Sequence, residues 1–278
     1  LTSMNCLETV GGELNAFTNK EDTVYYAAIL KEHFTKAVDL LSDIVFHSLY
    51  PQSEINKEIE VICDEIESYN DSPAELIYDL FENIIFHGHP LGHNILGDAW
   101  QLRTYNSETA KTFTQRFYKP QNAVFFAYGD INFDNLVDLL KKWTKGFGVQ
   151  KPMIGDADIV APLPAYQPTT KCIEKGTHQT HVMIGNRAYS VHDERRIALY
   201  LLNNIIGGPS MNARLNLSLR ERYGLVYTVE RTMVSYSDTG VWCTYFGCDH
   251  HDTRRCLRLV RHELNRFMQA PLSESQLR

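Results

Sequence analysis

The chain has 278 residues, 44% of them hydrophobic and 22% charged, which are the proportions of a soluble globular protein with one large or two ordinary domains. Its net charge of −7, with no long basic run, argues against nucleic acid as a partner, and no apolar run approaches the roughly 20 residues of a membrane span. Six cysteines without a CxxC pair exclude a disulfide framework and predict reduced, mostly buried thiols of an intracellular, cytoplasmic protein.

Leu14, Ala16 and Thr18 alternate, as do Val24, Tyr26, Ala28 and Leu30, around the turn Asn19-Lys20-Glu21-Asp22. This predicts a β-hairpin, with Gly11-Gly12 ahead of it permitting a bulge or a close backbone approach. The segment Asn15-Ala16-Phe17-Thr18 reads either as an interior strand or as an edge able to take an extended peptide by strand addition. Residues 33–48 predict a helix with Phe34, Ala37, Val38, Leu41 and Val45 inward. Residues 53–69, SEINKEIEVICDEIESY, predict a second helix, capped by Ser53. Ile55, Ile59, Ile62 and Ile66 form its buried stripe, and Glu60, Asp64 and Glu67 face water. At about 100° per residue, Glu58 and Glu65 stand one above the other, half-buried on the edge of that stripe. A half-buried carboxylate needs a cation or a donor to offset its desolvation. The pair therefore reads as a site, or as two rim glutamates turned into solvent.

A third helix is expected near 74–86. His87-Gly88-His89-Pro90-Leu91-Gly92-His93 follows, with histidines at i, i+2 and i+6 across Gly and Pro, a loop rather than a ligating helix face. Residues 123–129, AVFFAYG, predict a buried strand and 133–146 a helix. Pro152, Pro162, Pro164 and Pro168 mark an interdomain linker. In the second half, His181 leads into the apolar run Val182-Met183-Ile184, as a packed histidine or a ligand. Residues 223–235 and 239–248 predict paired strands around Tyr236-Ser237-Asp238, followed by a helix over 253–268. This repeats the order of the first half, with Pro271 and Ser273 answering Pro51 and Ser53. The repeat stops at Arg278, where the counterpart of the glutamate helix begins, so the chain is expected to be cut at both ends.

Several segments, in this order, resemble the pitrilysin/insulinase family of zinc peptidases, in its short two-domain, mitochondrial-processing-peptidase-like branch. They are Gly11-Gly12-Glu13-Leu14-Asn15-Ala16-Phe17-Thr18 with Thr23-Val24-Tyr25-Tyr26, Glu58 to Glu65, His89-Pro90-Leu91-Gly92, Gly207 to Leu215, and Leu219 to Tyr227. The resemblance implies an α+β fold of two related domains, each a mainly antiparallel sheet with helices packed on one face. Residues 1–150 would form an N-terminal peptidase-like domain lacking its first strand and its HxxEH helix, 151–168 a linker, and 169–278 a related C-terminal domain, incomplete at its end. It also implies a zinc metallo-endopeptidase acting on peptides or unfolded segments. Glu65 would be a zinc ligand and Glu58 its companion acid. Arg220 and Tyr227 would serve the substrate backbone and the reacting oxygen, and Asn15, Ala16, Phe17 and Thr18 would hold the peptide. Gly207-Gly208 would be the loop before a helix facing the cleft.

The family's two histidine ligands and its base lie in HxxEH, and none of the eleven histidines opens an HxxEH or HExxH. These 278 residues are therefore expected to be inactive and to hold no stoichiometric zinc alone. Either the complete protein carries the motif, or it is a non-catalytic partner or scaffold subunit. Short members of the family work in facing pairs, which implies a homodimer or pairing with a related subunit.

Overall fold

The structure of the chain, a computed structural model, describes residues 5–148, 162–270 and 272–274. In chain order the elements are α1 (Asn5–Glu8), β1 (Glu13–Thr18), β2 (Thr23–Ala28), α2 (Phe34–His47), α3 (Gln52–Asn70), α4 (Pro73–Ile85), α5 (Ala99–Leu102), α6 (Ser107–Phe117) and α7 (Phe133–Thr144). They continue with β3 (Thr180–Ala188), α8 (Arg195–Gly207), a π-helical turn (Asn216–Arg222), β4 (Val226–Ser235), β5 (Gly240–Cys248) and α9 (Thr253–Gln269). Short 3-10 turns at Lys31–His33 and His250–Asp252 lead into α2 and α9. The chain forms two compact units, Leu1–Ile66 with Ile95–Ala161, and Glu67–Asn94 with Pro162–Arg278.

In the first unit β1 and β2 pair antiparallel from Glu13↔Ala28 to Thr18↔Thr23. Their turn is closed by the Asn19 amide donating to the Asp22 carbonyl at 2.8 Å. Leu7, Ala37 and Leu40 make a small core with Leu14, Ala27, Ile29 and Ile44. Gly12 permits this, because a Cβ there would lie 3.1 Å from the Leu7 carbonyl oxygen and 3.2 Å from Ile29. α7 packs on α2, where the Trp143 indole N–H donates to Asp39. On α3, Ile59 and Cys63 are buried, with Ile55, Ile62 and Ile66 partly covered. Ser53 is not the cap: Tyr50 turns the chain at φ 49°, and the Pro51 carbonyl accepts the first helical bonds, from Glu54 at 3.0 Å and Ile55 at 3.1 Å.

The expected buried strand at 123–129 is absent. The segment forms no ladder, and Val124 and Tyr128 are 96% and 95% exposed. An apolar run signals a need for burial but does not supply a neighbour. Among the described residues the sheet of this unit ends at two strands.

The second unit is built on a three-stranded antiparallel sheet of order β3-β5-β4. α8, the π-helical turn and α9 cover one face over a core that includes Ile206, Leu219, Phe246, Cys256 and Val260. The expected layer of helices on one face is thus present, and α4 adds a layer against the other. The ring of Tyr78 of α4 lies 5.7 Å from that of Tyr245 and tilted to it, and Ile85 and Phe86 join Tyr236 and Val241. Gly185 makes room, since a Cβ there would fall 2.1 Å from the Trp242 carbonyl oxygen and 2.8 Å from Phe81. In the histidine-rich loop, His89 is buried with its Nε2 3.1 Å from Asp238, and its Nδ1 accepts the Leu91 amide. Its ring is thus fully engaged in holding a loop.

Of the expected linker, residues 151–161 lie outside the described residues; 162–168 run without regular structure. Cys63, Cys243, Cys248 and Cys256 are buried free thiols and Cys172 is exposed. Among the described residues no helix is long and apolar enough to cross a membrane.

Candidate functional site

Glu58 and Glu65 lie two turns apart on α3, and both are exposed rather than half-buried. The apolar stripe of α3 is covered along Ile59 and Cys63, but nothing described overlies the flank that carries the two carboxylates. Glu60 is also exposed and lies 3.7 Å from Arg103. Asn15, Ala16, Phe17 and Thr18 sit on β1, all exposed. Among the described residues the outer edge of β1 has no ladder partner. An edge without a ladder partner is the condition for strand addition, although the Ala16 amide already donates to the Asn15 Oδ1 at 2.8 Å.

In the second unit the structure brings Arg220 and Tyr227 together, with the guanidinium 5.7 Å from the ring centre. Two local features do this. Gly224, at φ 59°, reverses the chain after the π-helical turn, with its amide donating to the Arg220 carbonyl at 2.9 Å. A β-bulge then separates Val226 from Val229. Both valines enter the core, so the two residues between them, Tyr227 and Thr228, both turn outward. Tyr227 is 81% exposed. Arg220 also reaches Glu221 at 3.8 Å, an exposed contact that leaves most of its donors free for other partners.

Beside Thr228 lies a groove of about 490 Å³ lined by Tyr69, Ala74, Glu75, Tyr78, Thr228, Glu230 and Tyr245. The Tyr78 hydroxyl donates to Glu230 at 2.6 Å. Burial, with Glu230 adjoining, holds the Tyr78 phenol far above its ordinary range. Burial pushes Tyr69 up to about 12. Burial likewise raises Tyr245. These phenols stay protonated at neutral pH, and their hydroxyls are engaged within the unit: Tyr69 donates to the Glu75 carbonyl at 2.9 Å and Tyr78 to Glu230. His181 stacks on Tyr245, with Nδ1 2.9 Å from its hydroxyl, and burial lowers its pKa. It is a packed residue of this wall. Sequence reasoning missed the groove. Its one signal was the outward alternation of Thr228 and Glu230, which reads the same on any half-exposed strand.

The sequence pattern of the family described as "Insulinase (Peptidase family M16)" matches residues 2–99, and that described as "Peptidase M16 inactive domain" matches residues 104–278. The chain belongs to the insulinase family, peptidase family M16. Among its relatives, the Bacillus subtilis protein YmxG, named an uncharacterized zinc protease, is 31% identical over 97% of this chain. An uncharacterized zinc protease of Streptomyces coelicolor is 29% identical over 98% of it. The chain spans 64% and 60% of those two proteins, less than two thirds of either. Two solved structures share the fold: a protease from Helicobacter pylori, with TM-score 0.87 at 18% identity, and a peptidase M16 inactive domain from Pseudomonas fluorescens, with TM-score 0.84 at 20%. Each covers 99% of this chain, which covers 67% and 66% of theirs.

A catalytic zinc of this insulinase-family kind takes three protein ligands and keeps one position for water. Among the described residues, the one group of His, Cys, Asp and Glu close enough to share an ion is Asp249, His251 and Asp252, within 4.8 Å of one another. Glu65 is not among them.

Proposed function

We propose that the complete protein is a zinc-dependent metallo-endopeptidase acting on peptides or unfolded segments, and that these 278 residues hold an incomplete part of its site. The observation that carries the reading is the pairing of Arg220 with an exposed Tyr227 by a left-handed glycine and a bulge. Such a pair presents a fork of donors and a single O–H to one place, which suits a peptide backbone and a developing oxyanion. Curated relatives named zinc proteases support it. In this reading Glu65 is a zinc ligand and Glu58 its supporting acid, while Asn15, Ala16, Phe17 and Thr18 on β1 bind the peptide by strand addition. Residues 1–150 and 169–278 are its two related domains. A homodimer, or a pair with a related subunit, completes the enzyme in a reducing, cytoplasmic setting that fits the free thiols.

Zinc content and activity of glutamate variants of the complete protein test this. Glu65→Gln removes zinc, since a neutral amide is a poor ligand. Glu58→Gln keeps zinc and lowers activity about 10–100-fold, the usual loss for a supporting acid. Glu60→Gln does neither. Equal zinc in the Glu65 and Glu60 variants overturns the ligand assignment. Tyr227→Phe is expected to lower kcat about ten- to a thousandfold with KM little changed. The chain of 278 residues alone should bind no stoichiometric zinc by elemental analysis.

A second reading is a non-catalytic partner or scaffold subunit. Two observations favour it: HxxEH is absent from these residues, and residues 104–278 match an inactive-domain pattern. Failure of the complete protein to bind zinc would select it.

A further inference from the structure

The last helix of the second unit concentrates positive charge. α9 reads TRRCLRLVRHELNRFMQ, five arginines against one glutamate, a charge of +4 in a chain whose net charge is −7. At about 100° per residue, its buried residues Cys256, Val260 and Glu263 fall on one side. Arg254, Arg258 and Arg261 run down the opposite side, with Arg255, His262 and Arg266 along one flank, and all six are exposed. The one acid of the helix, Glu263, is not on that side. α2 stands at the same place in the repeat and has no such face, since it carries Lys36, Asp39 and Asp43. The arginines are therefore a feature of α9 and not of the repeat.

Two of the flanking side chains are held in place. The Arg255 guanidinium lies 5.0 Å from the ring centre of Tyr223, and Arg266 Nη1 donates to the buried Glu263 at 3.3 Å. Such anchoring reduces the side-chain freedom that a partner would have to freeze. Guanidinium forks match carboxylates and phosphates alike, so charge alone does not name the partner. Three observations do. From Arg254 to Arg266 the face is about 18 Å long at 1.5 Å per residue, the span of about five or six residues of extended polypeptide. Outside α9 the chain carries −11, which is −7 less the +4 of the helix, so a long polyanion reaching past this face meets repulsion. The apolar side of α9 is spent on the core, where Cys256 and Val260 pack with Leu219 and Phe246, so the helix has no face to sink into a bilayer.

We propose that the arginine face of α9 docks a short acidic segment of a polypeptide partner, several Asp or Glu side chains within about six residues, with Arg254, Arg258 and Arg261 taking their carboxylates. All these residues belong to the second unit and the contact is read as binding, so it stands or falls apart from the peptidase reading.

Fluorescence anisotropy of labelled hexaglutamate with the complete protein tests this, with a chelator present to keep the probe whole. Hexaglutamate is expected to bind along a saturable curve that weakens as salt rises, and hexaglutamine is expected not to bind. Reversing the row, with Arg254→Glu, Arg258→Glu and Arg261→Glu together, should weaken binding about tenfold or more. The three side chains are exposed, so an unchanged Tm shows that the fold is kept. If that variant does not fold, Arg258→Glu alone decides by weakening binding severalfold. Lys36→Glu with Lys111→Glu and Lys145→Glu makes the same change of net charge at exposed positions of the first unit, and should leave binding within about twofold. Equal losses in the two triple variants overturn the proposal, because net charge alone would then account for the binding. So does unchanged binding in the folded arginine variant or in Arg258→Glu, or no saturable binding of hexaglutamate. Tighter binding of oligothymidylate or of phosphatidylserine vesicles than of hexaglutamate overturns it in favour of nucleic acid or a membrane surface.

Discussion

The two units contain the same run of elements with different outcomes. In each, a hairpin leads through a 3-10 turn into a long helix: β1-β2 into α2, and β4-β5 into α9. Among the described residues β1 and β2 pair only with each other, and β1 is exposed at almost every position. β5 lies between β3 and β4 and is buried along nearly its whole length. A third strand and a covering helix, β3 and α8, make the difference. A two-stranded hairpin is marginal in water, whereas three strands under a helix bury enough apolar area to hold themselves. The local pattern builds the hairpin, and its neighbours decide how much it contributes to stability.

The largest expected effect tests this contrast with one aromatic in each hairpin. Phe246→Ala in β5, where the ring is fully buried, should cost about 3–5 kcal/mol. Phe17→Ala in β1, where the ring is 49% exposed, should cost no more than about 0.5 kcal/mol. Urea unfolding of this chain measures both, and similar costs would dissolve the comparison.

A smaller effect concerns the glycines of the second unit. Gly185→Ala places a methyl against the Trp242 carbonyl and Phe81, at about 1–3 kcal/mol. Gly224→Ala meets open space but must hold φ 59°, at about 1–2 kcal/mol. Thermal unfolding orders them. Gly224→Ala should also change the fluorescence or reactivity of Tyr227, and Gly185→Ala should not.

The smallest effect is a pH dependence. Burial lowers the His181 pKa below its ordinary 6.5. The unfolded chain therefore takes up a proton before the folded one does. The contribution of His181 is complete above about pH 6.5 and is lost as pH falls below it towards the folded pKa. His181→Asn should flatten the stability profile between pH 7 and 5, and an unchanged slope would remove His181 from the account.

Apolar spacing alone made α2, α4, α7 and α9 legible, because one buried helix face requires that period wherever its partner lies. Both hairpins were legible from alternation broken by turn residues. α8 was not, since Leu201, Leu202, Ile205 and Ile206 make a run that suits a buried strand as well as a helix. The segment 123–129 failed for the opposite reason: its β-forming run was read correctly as apolar, but pairing is a property of two segments. For the candidate residues, helical periodicity placed Glu58 and Glu65 one above the other, and their exposure depended on what covers that flank. Sequence by itself determined the family, the α+β class and the repeat of hairpin and helix, because these rest on local pattern. Only the tertiary structure decided that a bulge turns Tyr227 and Thr228 outward together, that Gly207 lets Arg231 cross beneath α8, and that β5 rather than β2 lies at the centre of a sheet. Each of these depends on contacts between residues far apart in the chain, which no local period records.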